Sequence, residues 1–380
     1  MIVNSIYDIK VKIGGYEILD SQIASGFSAI IEEDISNGFP ICQIQFTSSR
    51  EFLTNTPIVD GTPVEIRIYC EALGVDETLT FRVSAVKTVA MGFSFVFVLD
   101  CFLDFYELFR NCNKYAARGL SSEIFKNVAE QNKLKYNIDP TNDLQTWIPS
   151  ELNLGSWLNV VANHGWFDMN SCMYWFMNRR KELFYKNLDK LFYETKNIRT
   201  FKFGNLMPGD IEGGVYRYKT IGFKMETGTE NIFNRGYDGR NFHFDLLSYS
   251  LKTDNANKVR AITEIVNINK ELSQGLEENN LAIDCGNFHE YYFMAEAQNS
   301  RIRSSLSTYT VLGCEYWMPV SLGEMYLLEP VASGTQDTYI PSLNCKYLIS
   351  SIRTKITTAA VTMEVELCTQ GFNGSSQESY

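Results

Sequence analysis

The chain has 380 residues, 45% of them hydrophobic and 13% aromatic, which is enough apolar surface for about two to four packed domains and excludes a disordered polypeptide. Its net charge of −11 excludes a protein that coats nucleic acid by neutralising phosphates with Lys and Arg, and fits a surface past which DNA slides without sticking. No run of about 18 apolar residues is present, so no transmembrane helix is expected, and Met1–Ser5 lacks the basic and apolar regions of a signal peptide.

Ile9–Ile13, Gly14-Gly15, then Tyr16 and Ile18 read as a hairpin, because apolar residues alternate on either side of a Gly-Gly turn. Phe27, Ala29 and Ile31 alternate with small or polar neighbours, as do Cys42, Ile44 and Phe46. Asp60-Gly61-Thr62-Pro63 is a turn launching Val64–Ile68; Leu79–Val83 and Phe93–Phe102 follow as strands. About seven short strands in about 105 residues is the signature of a small antiparallel barrel or sandwich. The pattern then changes. Ile124, Phe125, Val128 and Ala129 fall at helical spacing in Glu123–Asn132, with Ser121 or Ser122 placed to cap. Trp157, Leu158, Val161 and Ala162 repeat that spacing, with Ser156 or Asn153 at the start and Gly165 as a left-handed end. Trp166-Phe167, a strand Met173–Met177, the charged turn Asn178–Glu182 and a strand Leu183–Lys186 complete a small α+β domain.

Phe201–Asp210 reads as a linker and Val215–Met225 as a strand. Residues 226–260 give no firm pattern, and Ala261–Leu272 and His289–Ser304 are helix-prone. Strands return at Ser307–Cys314, Pro319–Leu328, Tyr347–Ile356 and Val361–Leu367, with Pro319-Val320 resembling Pro63-Val64. Gly371–Tyr380 is Ser-, Gly- and Asn-rich and is expected to be mobile. One stretch occurs twice. Val83–Thr88 is echoed by Ile349–Thr354 at an offset of 266, which carries Phe95, Phe97 and Leu99 onto Val361, Met363 and Val365. Chance recurrence is one explanation; two similar β-domains, the second interrupted by an insertion, is the other.

No cluster announces a reaction. His164, His243 and His289 are far apart, and none has a partner at ligand spacing. There is no Gly-x-Ser-x-Gly elbow, P-loop or EF-hand loop, and Gly236–Arg240 is a weak phosphate loop with a single Arg. Glu32-Glu33-Asp34 is the densest acidic run and reads as a solvated strand end rather than a glycosidase pair. Tyr174-Trp175-Phe176, with Trp166-Phe167, reads as core or interface packing, since a strand apolar on both faces needs cover on both sides. The nine cysteines (42, 70, 101, 112, 172, 285, 314, 345 and 368) contain no Cys-x-x-Cys pair and read as reduced and structural, made in a reducing cytoplasm. No catalytic, cofactor or metal residue is assigned.

The order of these parts resembles the tail (baseplate) hub proteins of contractile-tailed bacteriophages, whose fold recurs at the head of type VI secretion spike proteins. The resemblance is carried by the first β region, by Ser121–Phe125, by Gly155–Leu158, by the hairpin Met173–Lys186 and by the closing strand pair Tyr347–Leu367. It implies an α+β, β-rich fold with two similar antiparallel tail-tube-like β-barrels. Residues 1–110 would form the first, 111–200 the α+β domain, 201–250 with 305–370 the second, 251–304 a helical insertion and 371–380 a flexible tail. It also implies a non-enzymatic homotrimer in the virion tail, assembled in the host cytoplasm and without membrane anchor or cofactor. Such a trimer joins a sixfold tail tube or tube-initiator protein to a threefold central spike, and DNA passes through without specific binding. The sequence leaves open a secretion-spike or non-contractile-tail hub, a wall-degrading or sugar-binding enzyme, and a receptor adhesin.

Overall fold

The structure is a computed structural model that describes residues 7–19, 24–49, 58–92, 94–149, 153–193, 198–204, 211–212, 215–227, 240–245, 249–255, 279–284, 289, 291–306, 308–314, 317–331, 346–358 and 360–369. The expected helix Ala261–Leu272, the Gly236–Gly239 loop, Cys285, Cys345 and the tail 371–380 lie outside them.

The N-terminal strands are β1 (Asp8–Ile13), β2 (Tyr16–Glu17), β3 (Ala24–Asp34), β4 (Ile41–Ser49), β5 (Pro63–Cys70), β6 (Val75–Met91) and β7 (Ser94–Leu103). Gly14 and Gly15, at φ +61° and +89°, make the expected tight turn between β1 and β2. Alternation then decides burial: Val11, Ile13, Ala29, Ile31, Ile44, Phe46, Val64, Ile66, Phe81, Val83, Phe97 and Leu99 are all buried, and Phe46 stacks on Phe97 at 4.9 Å. At about 25 cal/mol per Å² of apolar surface, such a shared inner face is what holds the sheet.

Next come β8 (Ala117–Gly119), α1 (Ser121–Gln131), β9 (Lys135–Ile138), β10 (Gln145–Trp147), α2 (Leu154–Asn163), β11 (Met173–Met177), β12 (Glu182–Asn187) and the short α3 (Leu188–Tyr193). Both expected helices and the hairpin are present, with different ends. Asn153 caps α2, its Oδ1 accepting from Ser156 N at 2.8 Å. Ser121 and Ser122 lie inside α1; a distant loop caps it instead, Asp143 Oδ1 accepting from Ser121 N (2.8 Å) and Thr141 Oγ1 from Ser122 N (3.1 Å). Gly165 is not left-handed; it is small because a Cβ there would sit 1.9 Å from the Tyr185 hydroxyl.

The last part holds β13 (Arg199–Gly204), β14 (Ile211–Glu212), β15 (Val215–Thr227), β16 (Arg240–Asp245), β17 (Ser250–Asn255), β18 (Asn279–Asp284), α4 (Tyr292–Ser305), β19 (Thr308–Cys314), β20 (Met325–Val331), β21 (Lys346–Thr357) and β22 (Val361–Thr369). Four expectations need correction here. Phe201–Gly204 is strand rather than linker, because Phe201 and Phe203 alternate with polar neighbours. The insertion is not wholly helical: β17, β16 and β18 form a small sheet in which Phe242 and Phe244 stand opposite Leu281 and Ile283. Pro319-Val320 is no strand start, since residues 317–324 turn before β20 begins. The sheet is mixed rather than antiparallel, because β13 runs parallel to both β15 and β20.

Fourteen strands make one sheet, in the order β2-β1-β5-β6-β7-β4-β3-β21-β20-β13-β15-β19-β22, with β14 beside β15. A pairing of β21 with β22 closes the last six into a circuit. The first half runs in the same order, β1-β5-β6-β7-β4-β3, but among the described residues no pairing joins β1 to β3, so two alike closed barrels are not what the ladders draw.

Candidate functional site

The functional geometry lies along the seam where the two halves meet. There β3 and β21 pair antiparallel from Ser28↔Thr357 to Asp34↔Ser351. Arg353 stands directly opposite Glu32, with its Nε 3.1 Å from Glu32 Oε1. Ile352, Thr354 and Ile356 are buried by this pairing.

The two hairpins that echo each other in sequence fold alike. In β6–β7 the register slips between Val83 and Ala85; in β21–β22 it slips between Ile349 and Ser351, again 266 residues on. Beyond the slip, Val86↔Leu99 and Thr88↔Phe97 become Ile352↔Val365 and Thr354↔Met363. The bulged residue is a serine both times. Ser84 Oγ donates to Asp100 O (2.9 Å), and Ser350 Oγ to Glu366 O (3.3 Å) and Glu366 Oε1 (2.7 Å). A bulge leaves one residue unpaired in the ladder, and the serine hydroxyl ties it back to the opposite strand.

The α+β module is wedged over the seam. All five residues of β11 are buried, as two-sided apolar character predicts. On one side Trp175 lies beside Phe125 of α1 and donates from Nε1 to Asn159 Oδ1 of α2 at 2.7 Å. On both sides β11 also meets a turn with glycine at φ +75°. A Cβ on Gly38 would come within 2.9 Å of Trp175, and one on Gly323 within 2.6 Å of Phe176. Left-handed backbone and close approach both demand glycine at these two places.

The β11–β12 turn then drives Arg179 between the halves. Its NH1 is 2.8 Å from Glu33 Oε2 and its Nε 3.4 Å from Glu77 Oε2, both in the first half. Its NH2 donates to Val320 O (3.3 Å), and its guanidinium lies 4.4 Å from the Trp317 ring centre, both in the second. Glu33 also accepts from Arg179 N at 2.9 Å. The acidic run is therefore not a solvated strand end throughout. Glu33 shares the inward parity of Phe27, Ala29 and Ile31 and is buried, while Glu32 and Asp34 face out. That alternation was the available signal; the partner 146 residues away was not readable.

Two histidines that look unrelated in sequence come together. His289 Nε2 donates to His164 O (2.9 Å), His164 Nδ1 to Tyr292 O (3.3 Å), and the His164 ring stacks on Tyr292 at 3.7 Å. Burial pushes His164 down to about 4 and lowers His289 as well. With Asn299, which donates to Ala162, Asn163 and Gly165 carbonyls and accepts from Met173 N, they dock α4 on the module. His243 lies in β16.

The seven described cysteines are reduced and buried, and burial raises Cys101, Cys314 and Cys368 to about 12, far from thiolate chemistry. Among the described residues no three His, Cys, Asp or Glu side chains are grouped to hold a metal. A cavity of about 330 Å³ beside the seam has Asp34 and Glu366 among its lining, and Glu366 is engaged by Ser350. No helix of the described residues is long and apolar enough to cross a membrane.

No family model matches the sequence, and no curated protein does. Solved structures do. A 43 kDa tail protein of prophage MuSo2 from Shewanella oneidensis aligns with a TM-score of 0.59 at 11% identity, over 96% of this chain and 98% of that one. A tail protein from Neisseria meningitidis MC58 aligns with a TM-score of 0.53 at 11% identity, over 96% of both. At that identity the likeness is one of fold: the chain has the fold of these tail proteins.

Proposed function

We propose that this protein is a structural tail hub, a trimeric adapter between a sixfold tail tube and a threefold central spike, without enzymatic activity. The observation that carries the reading is the internal repeat: one bulged hairpin, in one register, made twice by one chain. Three chains then offer six similar edges to a tube while the rest of each chain keeps threefold symmetry. Fusion of the two halves through β3–β21 supports this, because it sets the repeated units side by side in a single sheet. Arg179 and β11 brace that joint against the α+β module, which fits a part that carries load between tube and spike. The net charge of −11 fits a channel past which DNA moves without adhering. Mass measurement of the purified chain, alone and with its spike, tests the reading. A trimer is expected, and a ring on the tail axis in low-resolution images; a strict monomer in both states would refute it.

A further inference from the structure

The seam inside the chain has a counterpart pair of strands that do not meet within it. Cross-strand partners extend the repeat beyond the hairpins. Ala29 stands opposite Ile44, which stands opposite Leu99; Phe223 stands opposite Leu312, which stands opposite Val365. Because Leu99 corresponds to Val365, β3 corresponds to β15, with Ala29 matching Phe223 and Glu32 matching Glu226. Likewise β6 corresponds to β21, with Lys87 matching Arg353. Within the chain β3 pairs with β21. Their counterparts, β15 and β6, lie in the two halves and do not pair with each other.

Among the described residues both counterparts have a free edge where the seam would form. β5 covers β6 only as far as Arg82, and among the described residues nothing pairs with that side of Ala85–Met91. Thr88 and Ala90 are exposed and Val86 is half-buried, whereas the matching Thr354, Ile356 and Ile352 are buried. β13 covers β15 only from Val215 to Lys219, leaving that side of residues 220–227 unpaired among the described residues. An exposed, apolar, unpaired edge is a template for another strand.

We infer that β6 of one copy pairs antiparallel with β15 of the next, in the register of the β3–β21 seam. This rests on the ring reading above and adds its interface. Transposing the internal register sets Lys87 opposite Glu226, Thr88 opposite Met225, Val89 opposite Lys224 and Ala90 opposite Phe223. The residue types are complementary in the way the internal seam is. Arg353–Glu32 becomes Lys87–Glu226, keeping a cation opposite an anion. Ile356–Ala29 becomes Ala90–Phe223, trading large against small. Lys355–Ile30 becomes Val89–Lys224, trading the lysine across. A one-residue slip would forfeit all three. The contact is head-to-tail, which closes into a ring when the rotation per copy divides the circle.

Paired cysteines in the full-length chain test the register. Directly opposed antiparallel residues have Cα atoms about 4.5–5.5 Å apart, within disulfide reach. Lys87→Cys with Glu226→Cys should yield disulfide-linked multimers ending at trimer on a non-reducing gel, with neither single variant doing so. Lys87→Cys with Lys224→Cys, two residues out of register, should link far less. Lys87→Glu should weaken the ring about fivefold per interface, about a hundredfold for three, with Lys87→Glu/Glu226→Lys restoring it. A trimer by mass that links through the shifted pair, or through neither, overturns this pairing and leaves the hub reading standing. A monomer at every concentration overturns both.

Discussion

Val86 and Ile352 hold the same place in two copies of one hairpin, opposite Leu99 and Val365, yet Val86 is half-buried and Ile352 fully buried. The strands around them share register, bulge and the serine that ties the bulge down. What differs is the neighbour: β3 covers β21, and among the described residues no strand pairs with the matching length of β6. Burial at these positions is thus set by the neighbouring strand and not by the hairpin itself. The second difference is the insertion between β15 and β19, which the first copy replaces with the short turn between β3 and β4.

Cutting the link between the halves is the severest way to break this comparison. Arg179→Ala leaves Glu33 buried with no cation, a loss of about 3–5 kcal/mol. A urea midpoint should fall accordingly, and Arg179→Met/Glu33→Leu should recover most of it, because apolar replacement of both partners removes the stranded charge. Equal loss in the double variant would mean that packing at the turn, and not the ion pair, fastens the joint.

Cavity formation sharpens the contrast position by position. Ile352→Ala should cost about 2–5 kcal/mol, as for a buried residue in a packed core. Val86→Ala should cost well under half of that in the dissociated chain, and more in the assembled one, where β15 of a neighbour would cover it. The readout is thermal unfolding of each variant below and above the concentration of assembly. Equal costs at both concentrations would argue that Val86 gains no cover.

Much of this was legible because strands announce themselves by parity. The alternation at Phe27-Ala29-Ile31 and the echo of Val83–Thr88 in Ile349–Thr354 each marked a real strand, and β11 was readable as buried on both faces. Contacts made across long separations were not. Arg179 looks like one of several charges in a hairpin turn until Glu33 is placed beside it. The capping of α1 by Thr141 and Asp143 hides the same way, since Ser121 is itself a good cap by type. β13 is hard to read because its six-residue alternation is short and ends in glycine, and β16–β18 because Asn and Asp crowd around two phenylalanines.

α4, part of the insertion present in one copy only, docks on His164 of the α+β module, and that contact should respond to acid. His164 is held neutral by burial, its pKa down from 6.5 to about 4. As pH falls, unfolded chains take up this proton near 6.5 and folded ones only near 4. The stability that neutral His164 brings is therefore full above about pH 6.5 and lost progressively down to about pH 4, at most about 3 kcal/mol. The lowered His289 acts in the same direction. Hydrogen exchange should show α4 loosening across that window while β21 and β22 stay protected, and His164→Gln should flatten the slope. An unchanged slope would place the titration elsewhere.

The smallest effect probes the repeat most directly. Ser84→Ala and Ser350→Ala each remove the hydroxyl that bonds across the bulge, to Asp100 O and to Glu366 O. A neutral hydrogen bond contributes about 0.5–1.5 kcal/mol, so each change should lie near 1 kcal/mol. Ser350 should lose more, because it is buried and also donates to the Glu366 carboxylate at 2.7 Å, whereas Ser84 is exposed and water can replace its bond. Both variants should keep the slipped register, because cross-strand pairs on either side of each slip, Val83↔Cys101 with Val86↔Leu99 and Ile349↔Leu367 with Ile352↔Val365, fix it. Loss of the slip in one hairpin alone, read from cross-strand NOEs, would mean that the two bulges arise from separate causes and that the internal symmetry is shallower than the registers make it.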